Sequence, residues 1–225
     1  MILDSFDIEV NETDPQKFID IVVSLEPTFG GINLEDISAP TCFFIEKEIQ
    51  KRMNIPIMHD DQHGTAIIAG AALLNALQLI NKKIEDIRVV VSGCGAAGFT
   101  CAKYFMLLGV KRENLIACDI KGVIFNGRED LVNNPNNYLH EVATDSTVRT
   151  LKEALVGADV FFGLSVGGLL KPDMLLSMNR DPLVFAMANP NPEITYRLAK
   201  DTRADVILGT GRYSILLCSF CYPTN

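Results

Sequence analysis

Two acidic pairs and a glycine-rich turn are the residues of this sequence best suited to chemistry. Glu35-Asp36 lies in GGINLEDIS, Asp60-Asp61 lies in IPIMHDDQHGTA, and the turn follows in VVVSGCGAAG (89–98). Carboxylate oxygens bind hard cations such as Mg²⁺ or Mn²⁺, whereas a Gly-x-Gly-x-x-Gly turn binds a pyrophosphate. The combination indicates metal-assisted redox chemistry rather than simple nucleotide binding.

The glycine turn has the spacing of a dinucleotide-binding loop. Gly93 allows a tight turn, Gly95 lets the backbone approach a pyrophosphate, and Gly98 lets a helix pack closely on a strand. Ala96 and Ala97 begin the predicted helix, whose N-terminus presents free N–H groups and the positive end of its dipole. The same turn could simply connect a strand to a helix, and it becomes specific only with a strand, a helix and a later acidic residue in place.

Asp119 supplies that later acidic residue. It lies 21 residues past Gly98, at the end of the next predicted strand, where a carboxylate would accept hydrogen bonds from the adenosine ribose of NAD. Lys121 lies two residues further on and could bind the 2′-phosphate of NADP instead. The sequence therefore leaves NAD and NADP as alternatives.

The acidic pairs have two interpretations. A solvated surface loop is the ordinary one, but each pair follows an apolar or glycine-rich stretch, and adjacent carboxylates repel each other unless a cation is present. We therefore expect a cation site that includes them. His59 and His63 have the spacing of zinc-protease ligands, but the glutamate of that motif is missing and Gly64 is a poor residue for a helix interior. We expect no zinc site there.

The elements that must position these residues alternate between strands and helices. Apolar runs predict strands at 55–58, 88–93, 115–119, 159–165, 183–189 and 205–210. Helices are predicted at 15–24, 41–53, 64–79, 96–108 and 148–156, with two short ones beginning near Pro172 and Pro192. This alternation predicts an α/β fold with a doubly wound parallel sheet, typical of a Rossmann-type dinucleotide-binding domain.

Composition and charge exclude several classes of function. Apolar residues make up 48% of the 225 residues, which is enough for a sizeable core. The net charge of -8 argues against nucleic-acid binding, because Lys and Arg do not cluster. The first residues lack the features of a signal peptide, and the apolar run that ends at Ile80 is expected to be too short to span a membrane. These features predict a cytoplasmic protein that binds no membrane.

The six cysteines give little indication of function. They are scattered along the chain rather than dense as in a secreted scaffold. Cys218 and Cys221 form a C-x-x-C pattern, but a lone pair without a second one is a weak signal for redox chemistry or zinc.

Four motifs together resemble those of malic enzymes, most closely the compact bacterial-type branch. They are PTFGGINLEDI (27–37), IPIMHDDQHGTAI (55–67), the glycine turn and AMANPNPEI (186–194). The resemblance extends from about residue 18 to residue 212. It implies oxidative decarboxylation of L-malate to pyruvate and CO₂ with reduction of NAD(P)⁺, dependence on Mg²⁺ or Mn²⁺, and a homo-oligomer such as a dimer.

The resemblance also implies roles for the acidic residues and a division of the chain. Glu35, Asp36 and Asp61 are expected to bind the metal, with Asp60 beside them as a candidate catalytic residue. Residues 1–61 would be the remnant of a smaller N-terminal α/β domain that carries these ligands. Residues 62–225 would be the NAD(P)-binding Rossmann domain, with an aberrant tail from about residue 213.

On the cofactor side, the resemblance implies that Asn189 contacts the substrate or the nicotinamide. The nicotinamide is expected near 163–168, where Ser165 is a candidate cofactor contact. The tyrosine and lysine that malic enzymes use for catalysis have no counterpart in this sequence. We therefore expect a chain truncated at both ends with impaired activity, and the alternative is a catalytically inactive NAD(P)-binding module.

Overall fold

A computed structural model describes residues 4–210 of the chain. These residues divide into two compact units, with the boundary between Asp60 and Asp61. The predicted tail from about residue 213, including Cys218 and Cys221, lies outside the described residues.

The first unit contains two helices and a two-stranded parallel sheet. Its elements are α1 (Pro15–Ser24), β1 (Ile32–Leu34), α2 (Thr41–Arg52) and β2 (Ile57–His59). Asp14 caps α1 by accepting hydrogen bonds from the backbone N–H groups of Gln16 and Lys17, as a helix N-cap should. Strands β1 and β2 are in register, so that Leu34 lies opposite His59. A small apolar core fills this unit, with buried Ile19, Val22, Leu34, Ile45, Ile49 and Met53.

The second unit contains a six-stranded sheet with helices between its strands. Its elements are α3 (Asp60–Ile80), β3 (Val89–Ser92), α4 (Ala96–Leu108), β4 (Leu115–Asp119), β5 (Gly122–Val123), α5 (Glu129–Val132), α6 (Leu151–Ala154), β6 (Val160–Gly163), α7 (Pro172–Ser177), β7 (Leu183–Ala186), α8 (Tyr196–Thr202) and β8 (Ile207–Thr210). Two 3₁₀ turns lie at Arg112–Asn114 and Tyr138–Glu141.

The strand order confirms the predicted fold class. The order is β5-β4-β3-β6-β7-β8, and every neighbouring pair is parallel except β4 and β5. Every residue of β3, β6 and β7 is buried, as expected for strands covered on both faces. The chain winds outward from β3 on one side and from β6 on the other, which makes the β3–β6 boundary the topological switch point of a Rossmann-type sheet.

Helix α3 differs from its prediction in start and length. It begins at Asp60 rather than at Gly64, and its 21 residues run to Ile80. Gly64 therefore lies inside a helix, which removes one of the two arguments against the zinc motif, while the missing glutamate still stands. The length argument against a membrane span was also wrong, because α3 is long and apolar enough to cross a membrane. Its buried residues recur at the spacing of a helix that packs on a core, and they include Ala66, Ala69, Gly70, Leu73, Ala76 and Leu77.

Three further differences concern the later part of the chain. The helix expected at 148–156 is shorter than predicted and comprises only Leu151–Ala154 (α6). It does not include Arg149, because the carbonyl of that residue accepts a hydrogen bond from the N–H of Val123 in β5. Strand β5 was not predicted, since its two residues are too few to show the alternation of apolar and polar residues that indicates a strand. No helix begins near Pro192. Helix α8 begins at Tyr196 and is capped by Thr195, because residues 187–194 form backbone contacts with the loop that follows β6.

Candidate dinucleotide site

The carboxyl edge of the six-stranded sheet brings together the loops that carry most of the predicted site residues. Ser92 at the end of β3 is paired with Cys118 in β4 and with Gly163 in β6, and Gly163 is paired with Ala186 in β7. The loops after these four strands therefore start side by side. These loops, together with the last residue of β4 and the first turn of α4, contain the predicted residues Gly93, Gly95, Ala96, Ala97, Gly98, Asp119, Ser165 and Asn189.

The three glycines of the turn have three different surroundings. Gly93 has a φ of +97°, and a Cβ there would lie 2.3 Å from the carbonyl oxygen of Leu164. A Cβ on Gly98 would lie 1.7 Å from the carbonyl oxygen of Gly93. A Cβ on Gly95, in contrast, would meet no protein atom within 4 Å. Gly93 and Gly98 are thus required by the protein itself, whereas the space at Gly95 is free for a ligand.

Helix α4 begins directly after this space. Gly95 is its N-cap and makes no side-chain cap, so the first N–H groups of the helix remain available to an anion. Ala96 and Ala97 form its first turn without bulky side chains. A pyrophosphate fits this arrangement, because the open position at Gly95 lies where the helix presents its positive end.

The thiol inside the glycine turn is neutral. Cys94 is buried, and burial, together with the negative charge of Asp119, raises the pKa of its thiol well above the usual range. Cys94 therefore places no negative charge beside the anion site. Its carbonyl oxygen accepts a hydrogen bond of 3.0 Å from the hydroxyl of Tyr138, which anchors the turn to the segment that follows β5.

Asp119 lies at the end of β4, as predicted, but it has a partner that the sequence did not indicate. Arg128 donates to both of its carboxylate oxygens, with distances of 2.9 and 2.7 Å. The same guanidinium donates to both oxygens of Asp130, at 2.7 and 2.9 Å. Burial alone would lower the pKa of Arg128, but the hydrogen bonds that it donates to the two carboxylates outweigh this effect and raise that pKa. The predicted ribose contact is thus held in a fixed orientation by a buried cation.

The contact between Arg128 and Asp119 could not be predicted from the sequence. Arg128 is nine residues from Asp119 in the sequence, a spacing that matches no helix or strand period. The turn at β5 brings it back beneath the end of β4. Lys121, the alternative phosphate ligand, forms an ion pair with Asp130 at 3.1 Å and remains largely exposed.

The loops after β6 and β7 are joined by several hydrogen bonds. The N–H of Gly168 donates to the carbonyl of Pro192 (2.9 Å), and that of Leu170 donates to the carbonyl of Glu193 (3.1 Å). Ser165 also faces Ser92, with 3.3 Å between their hydroxyl oxygens, which connects the loop after β6 to β3. Asn189 is exposed and helps to line a pocket of ≈ 540 Å³ between the two loops. The loop that carries Ser165 thus lies beside the glycine turn.

Glu193 is a second residue that the sequence did not single out, although it belongs to the quoted motif AMANPNPEI. Its side chain is 0% exposed. Its carboxylate accepts hydrogen bonds from the backbone N–H groups of Ser165 and Ala188, both at 3.0 Å. Only the burial of a charged residue in a loop could have indicated it, and burial is not visible in the sequence.

The acidic pairs occupy the carboxyl ends of the small parallel sheet. Glu35 and Asp36 directly follow β1, and Asp60 directly follows β2. Because β1 and β2 are parallel and Leu34 lies opposite His59, these three residues start from neighbouring strand ends. Glu35 accepts a hydrogen bond of 2.9 Å from Asn33, and Asp36 has a φ of +57°, which is uncommon for a residue other than glycine.

The metal set Glu35, Asp36 and Asp61 stays a prediction. Asp61 belongs to the second unit, in the first turn of α3. Within residues 4–210, no group of three or more His, Cys, Asp or Glu side chains is arranged to hold a metal ion. One or two protein carboxylates completed by water and substrate oxygens are usual for Mg²⁺, and the chemistry of the acids after β1 and β2 fits that pattern.

Comparison with known proteins decides the family. The model of the malic enzyme NAD binding domain matches residues 62–212. The chain belongs to the malic enzyme family. It is 53% identical over 207 residues to the NADP-dependent malic enzyme of Haemophilus influenzae, covering 92% of this chain and 27% of that protein. It is 46% identical over 210 residues to the NAD-dependent malic enzyme of Rhizobium meliloti, covering 93% of this chain and 27% of that protein.

A solved structure agrees with this assignment. The crystal structure of the NAD-dependent malic enzyme from Thermotoga maritima superposes with a TM-score of 0.86 at 46% identity, covering 94% of this chain and 56% of that chain. The chain thus spans about a quarter of the length of the curated relatives named above and about half of that structure.

Proposed function

We propose that this chain is the cofactor-binding and metal-binding part of an enzyme that oxidatively decarboxylates L-malate to pyruvate and CO₂ with reduction of NAD(P)⁺. The observation that carries the proposal is the glycine turn, in which Gly95 leaves an open space directly before the N-terminus of α4. Its place at the switch point of a malic enzyme NAD binding domain supports a dinucleotide as the ligand.

The residues at the carboxyl edge divide the work of holding the cofactor. The N–H groups at the start of α4 bind the pyrophosphate, and Asp119, oriented by Arg128, accepts hydrogen bonds from the adenosine ribose. Ser165 and Asn189 belong to the loops after β6 and β7, which lie on the other side of β3 from Asp119. They position the nicotinamide against the substrate. When bound, the nicotinamide would supply an acceptor for the hydride that leaves C2 of malate, and the divalent cation would supply positive charge against the negative charge on the substrate oxygen.

The choice between NAD⁺ and NADP⁺ depends on charges beside Asp119. Its carboxylate repels a 2′-phosphate, and the charge of Arg128 is already offset by Asp119 and Asp130. Lys121 is the exposed cation that a 2′-phosphate can recruit. Calorimetric titration of the purified chain with NAD⁺ and with NADP⁺ measures the preference, and Lys121→Ala should weaken NADP⁺ binding alone. Binding of neither cofactor would refute the proposed function.

For the metal, we propose Glu35, Asp36 and Asp61 as ligands of Mg²⁺ or Mn²⁺, with Asp60 beside them. The arrangement of β1 and β2 supports this, because it starts the two acidic segments from neighbouring strand ends. Asp61→Ala should abolish Mn²⁺ binding in a calorimetric titration, and Asp4→Ala, which removes a carboxylate far away in the sequence, should not. Unchanged Mn²⁺ affinity in Asp61→Ala would exclude that residue from the site.

Malate-dependent reduction of NAD(P)⁺ in the presence of Mn²⁺, even at the low rate expected of this chain, separates the enzyme from a catalytically inactive NAD(P)-binding module. The module would bind the dinucleotide without reducing it when malate is added. We further propose that the protein works in the cytoplasm and forms a homo-oligomer such as a dimer. Light scattering of the purified protein tests the oligomeric state.

A further inference from the structure

Glu193 is a charged residue buried in an unusual way. Its side chain is 0% exposed, and among the described residues no Lys, Arg or His forms an ion pair with it. A buried carboxylate without a cation is costly unless hydrogen bonds compensate it. The compensation here comes from donors of two different loops.

Those donors lie on the loops after β6 and β7. Oε1 of Glu193 accepts a hydrogen bond of 3.0 Å from the N–H of Ser165 and is 3.4 Å from the Ser165 hydroxyl. Oε2 accepts one of 3.0 Å from the N–H of Ala188. One oxygen is thus used by each loop, and Ala188 directly precedes Asn189. A single carboxylate therefore sets the separation between the backbones that carry Ser165 and Asn189.

The surrounding residues leave room for this carboxylate. A Cβ on Gly163, the last residue of β6, would lie 2.4 Å from Cδ of Glu193 and 2.5 and 2.8 Å from its two oxygens. Gly163 is in a strand and shows no positive φ, so the backbone does not require glycine there. The lack of a side chain at position 163 serves the carboxylate.

We propose that Glu193 is a positioning residue, which holds the loops after β6 and β7 at the separation needed to receive the nicotinamide. The proposal rests on the proposed function, because that function places the nicotinamide between Ser165 and Asn189. Glu193 does not touch the cofactor itself. It acts through the backbone N–H groups of Ser165 and Ala188, before any ligand binds.

Glu193→Gln tests the proposal with little change in volume. The amide keeps one acceptor oxygen, but its NH₂ group must face the N–H of either Ser165 or Ala188, so one loop loses its hydrogen bond. Because a hydrogen bond to a charged group contributes about 1.5–3 kcal/mol, the affinity for the nicotinamide half should fall on the order of tenfold to a hundredfold. The pyrophosphate and adenosine contacts, at the glycine turn and Asp119, are not altered.

The measurement compares two ligands. NADH or NADPH is titrated and followed by nicotinamide fluorescence, and ADP-ribose or its 2′-phosphate is titrated by calorimetry. The expected result is a loss of affinity and of fluorescence enhancement for the reduced cofactor, with unchanged affinity for the ADP-ribose ligand. Glu113→Gln is the matched control, since Glu113 is exposed in the turn Arg112–Asn114 and loses the same charge without affecting either ligand.

Two outcomes would overturn the proposal. Unchanged binding of both ligands would mean that the carboxylate does not position the loops, and an equal loss for both would mean a general role in folding. If the unmodified chain binds neither ligand, the proposed function fails first, and the role of Glu193 fails with it.

A measurement on the unmodified chain applies even if the variant does not fold. Amide hydrogen exchange without ligand should show slow exchange at Ser165 and Ala188, because Glu193 holds both N–H groups in advance. Rapid exchange at these two positions would refute the proposal. Gly163→Ala gives a second route, since its methyl group must displace the carboxylate and should reproduce the selective loss of nicotinamide affinity.

Discussion

Replacement of Gly95 by alanine should separate cofactor binding from stability. The Cβ would meet no protein atom within 4 Å, and the backbone of Gly95 is extended, with φ -79° and ψ -158°. Alanine is a poorer N-cap than glycine, but it also lowers the conformational entropy of the unfolded chain, which stabilises the folded state by about 0.4–1 kcal/mol. Because the two effects oppose each other, we expect the free energy of unfolding to change by less than about 1 kcal/mol.

The effect on cofactor binding should be much larger. The methyl group would occupy the space in which the pyrophosphate approaches the backbone, and it would move the phosphate oxygens away from the N–H groups of α4. Each hydrogen bond to a charged group that is lost costs about 1.5–3 kcal/mol, so the Kd for NAD(P)⁺ should rise at least about tenfold. Calorimetric titration gives the Kd, and urea denaturation followed by circular dichroism gives the stability.

Gly98→Ala is the matched comparison, because it adds the same methyl group three residues away. Its Cβ would lie 1.7 Å from the carbonyl oxygen of Gly93, so the turn must shift, and overpacking of this kind costs about 1–3 kcal/mol or more. We expect Gly98→Ala to be destabilised and Gly95→Ala to be as stable as the unmodified chain. If Gly95→Ala bound NAD(P)⁺ with unchanged affinity, the assignment of the pyrophosphate to the open space would be wrong.

Three further predictions concern the carboxylates of the second unit. Asp119→Asn removes the charge that repels a 2′-phosphate and leaves Asp130 as the one carboxylate that offsets the charge of Arg128 in this network, so the ratio of NADP⁺ to NAD⁺ affinity should rise about tenfold or more in calorimetric titrations; an unchanged ratio would show that Asp119 does not select the cofactor. Asp159→Ala leaves the N–H of Arg88 without its acceptor and removes one of the two acceptors of Lys82. Because Asp159 is buried while Lys82 is partly exposed, the urea-derived stability should fall by about 1–3 kcal/mol, whereas a loss below about 1 kcal/mol would contradict this role. Asp205→Asn should lower the free energy of unfolding near neutral pH but not in strong acid. Hydrogen bonds from Arg203 keep the pKa of Asp205 well below its usual value, so its contribution is present above the unfolded pKa of about 3.9 and is lost as the pH falls through the folded pKa. The difference between the Asp205→Asn variant and the unmodified chain should therefore be constant near neutral pH and disappear in strong acid, and a difference that grows toward low pH would refute the assignment.

Local patterns were sufficient for the fold class and for the glycine turn. The strands β3, β4, β6 and β7 are apolar except for the last residues of β3 and β4, Ser92 and Asp119, so these strands and the helix after Gly95 could be predicted from the sequence. Gly93 and Gly98 also behave as their spacing predicted, since their roles arise from atoms a few residues away or in the loop directly after an adjacent strand, while the role of Gly95 stays a prediction.

Local sequence patterns did not predict the structure of segments that depend on contacts with residues far away in the chain. Residues 187–194 have prolines that suggested a helix start near Pro192, but this stretch instead accepts hydrogen bonds from the loop after β6 and donates one to Gly163 at the end of β6. Strand β5 has only two residues and exists because its edge pairs with β4 and with the carbonyl of Arg149. Neither feature produces a period that sequence analysis can detect.

The sequence by itself determined the family, the Rossmann-type sheet and the position of the dinucleotide turn, because these depend on residue type and short spacing. Only the tertiary structure decided which charged groups hold that site in place. Arg128 reaches Asp119 through the turn at β5, and Glu193 reaches Ser165 and Ala188 through the pairing of two loops. Their roles come from burial and from hydrogen bonds between segments far apart in the chain, which no local pattern records.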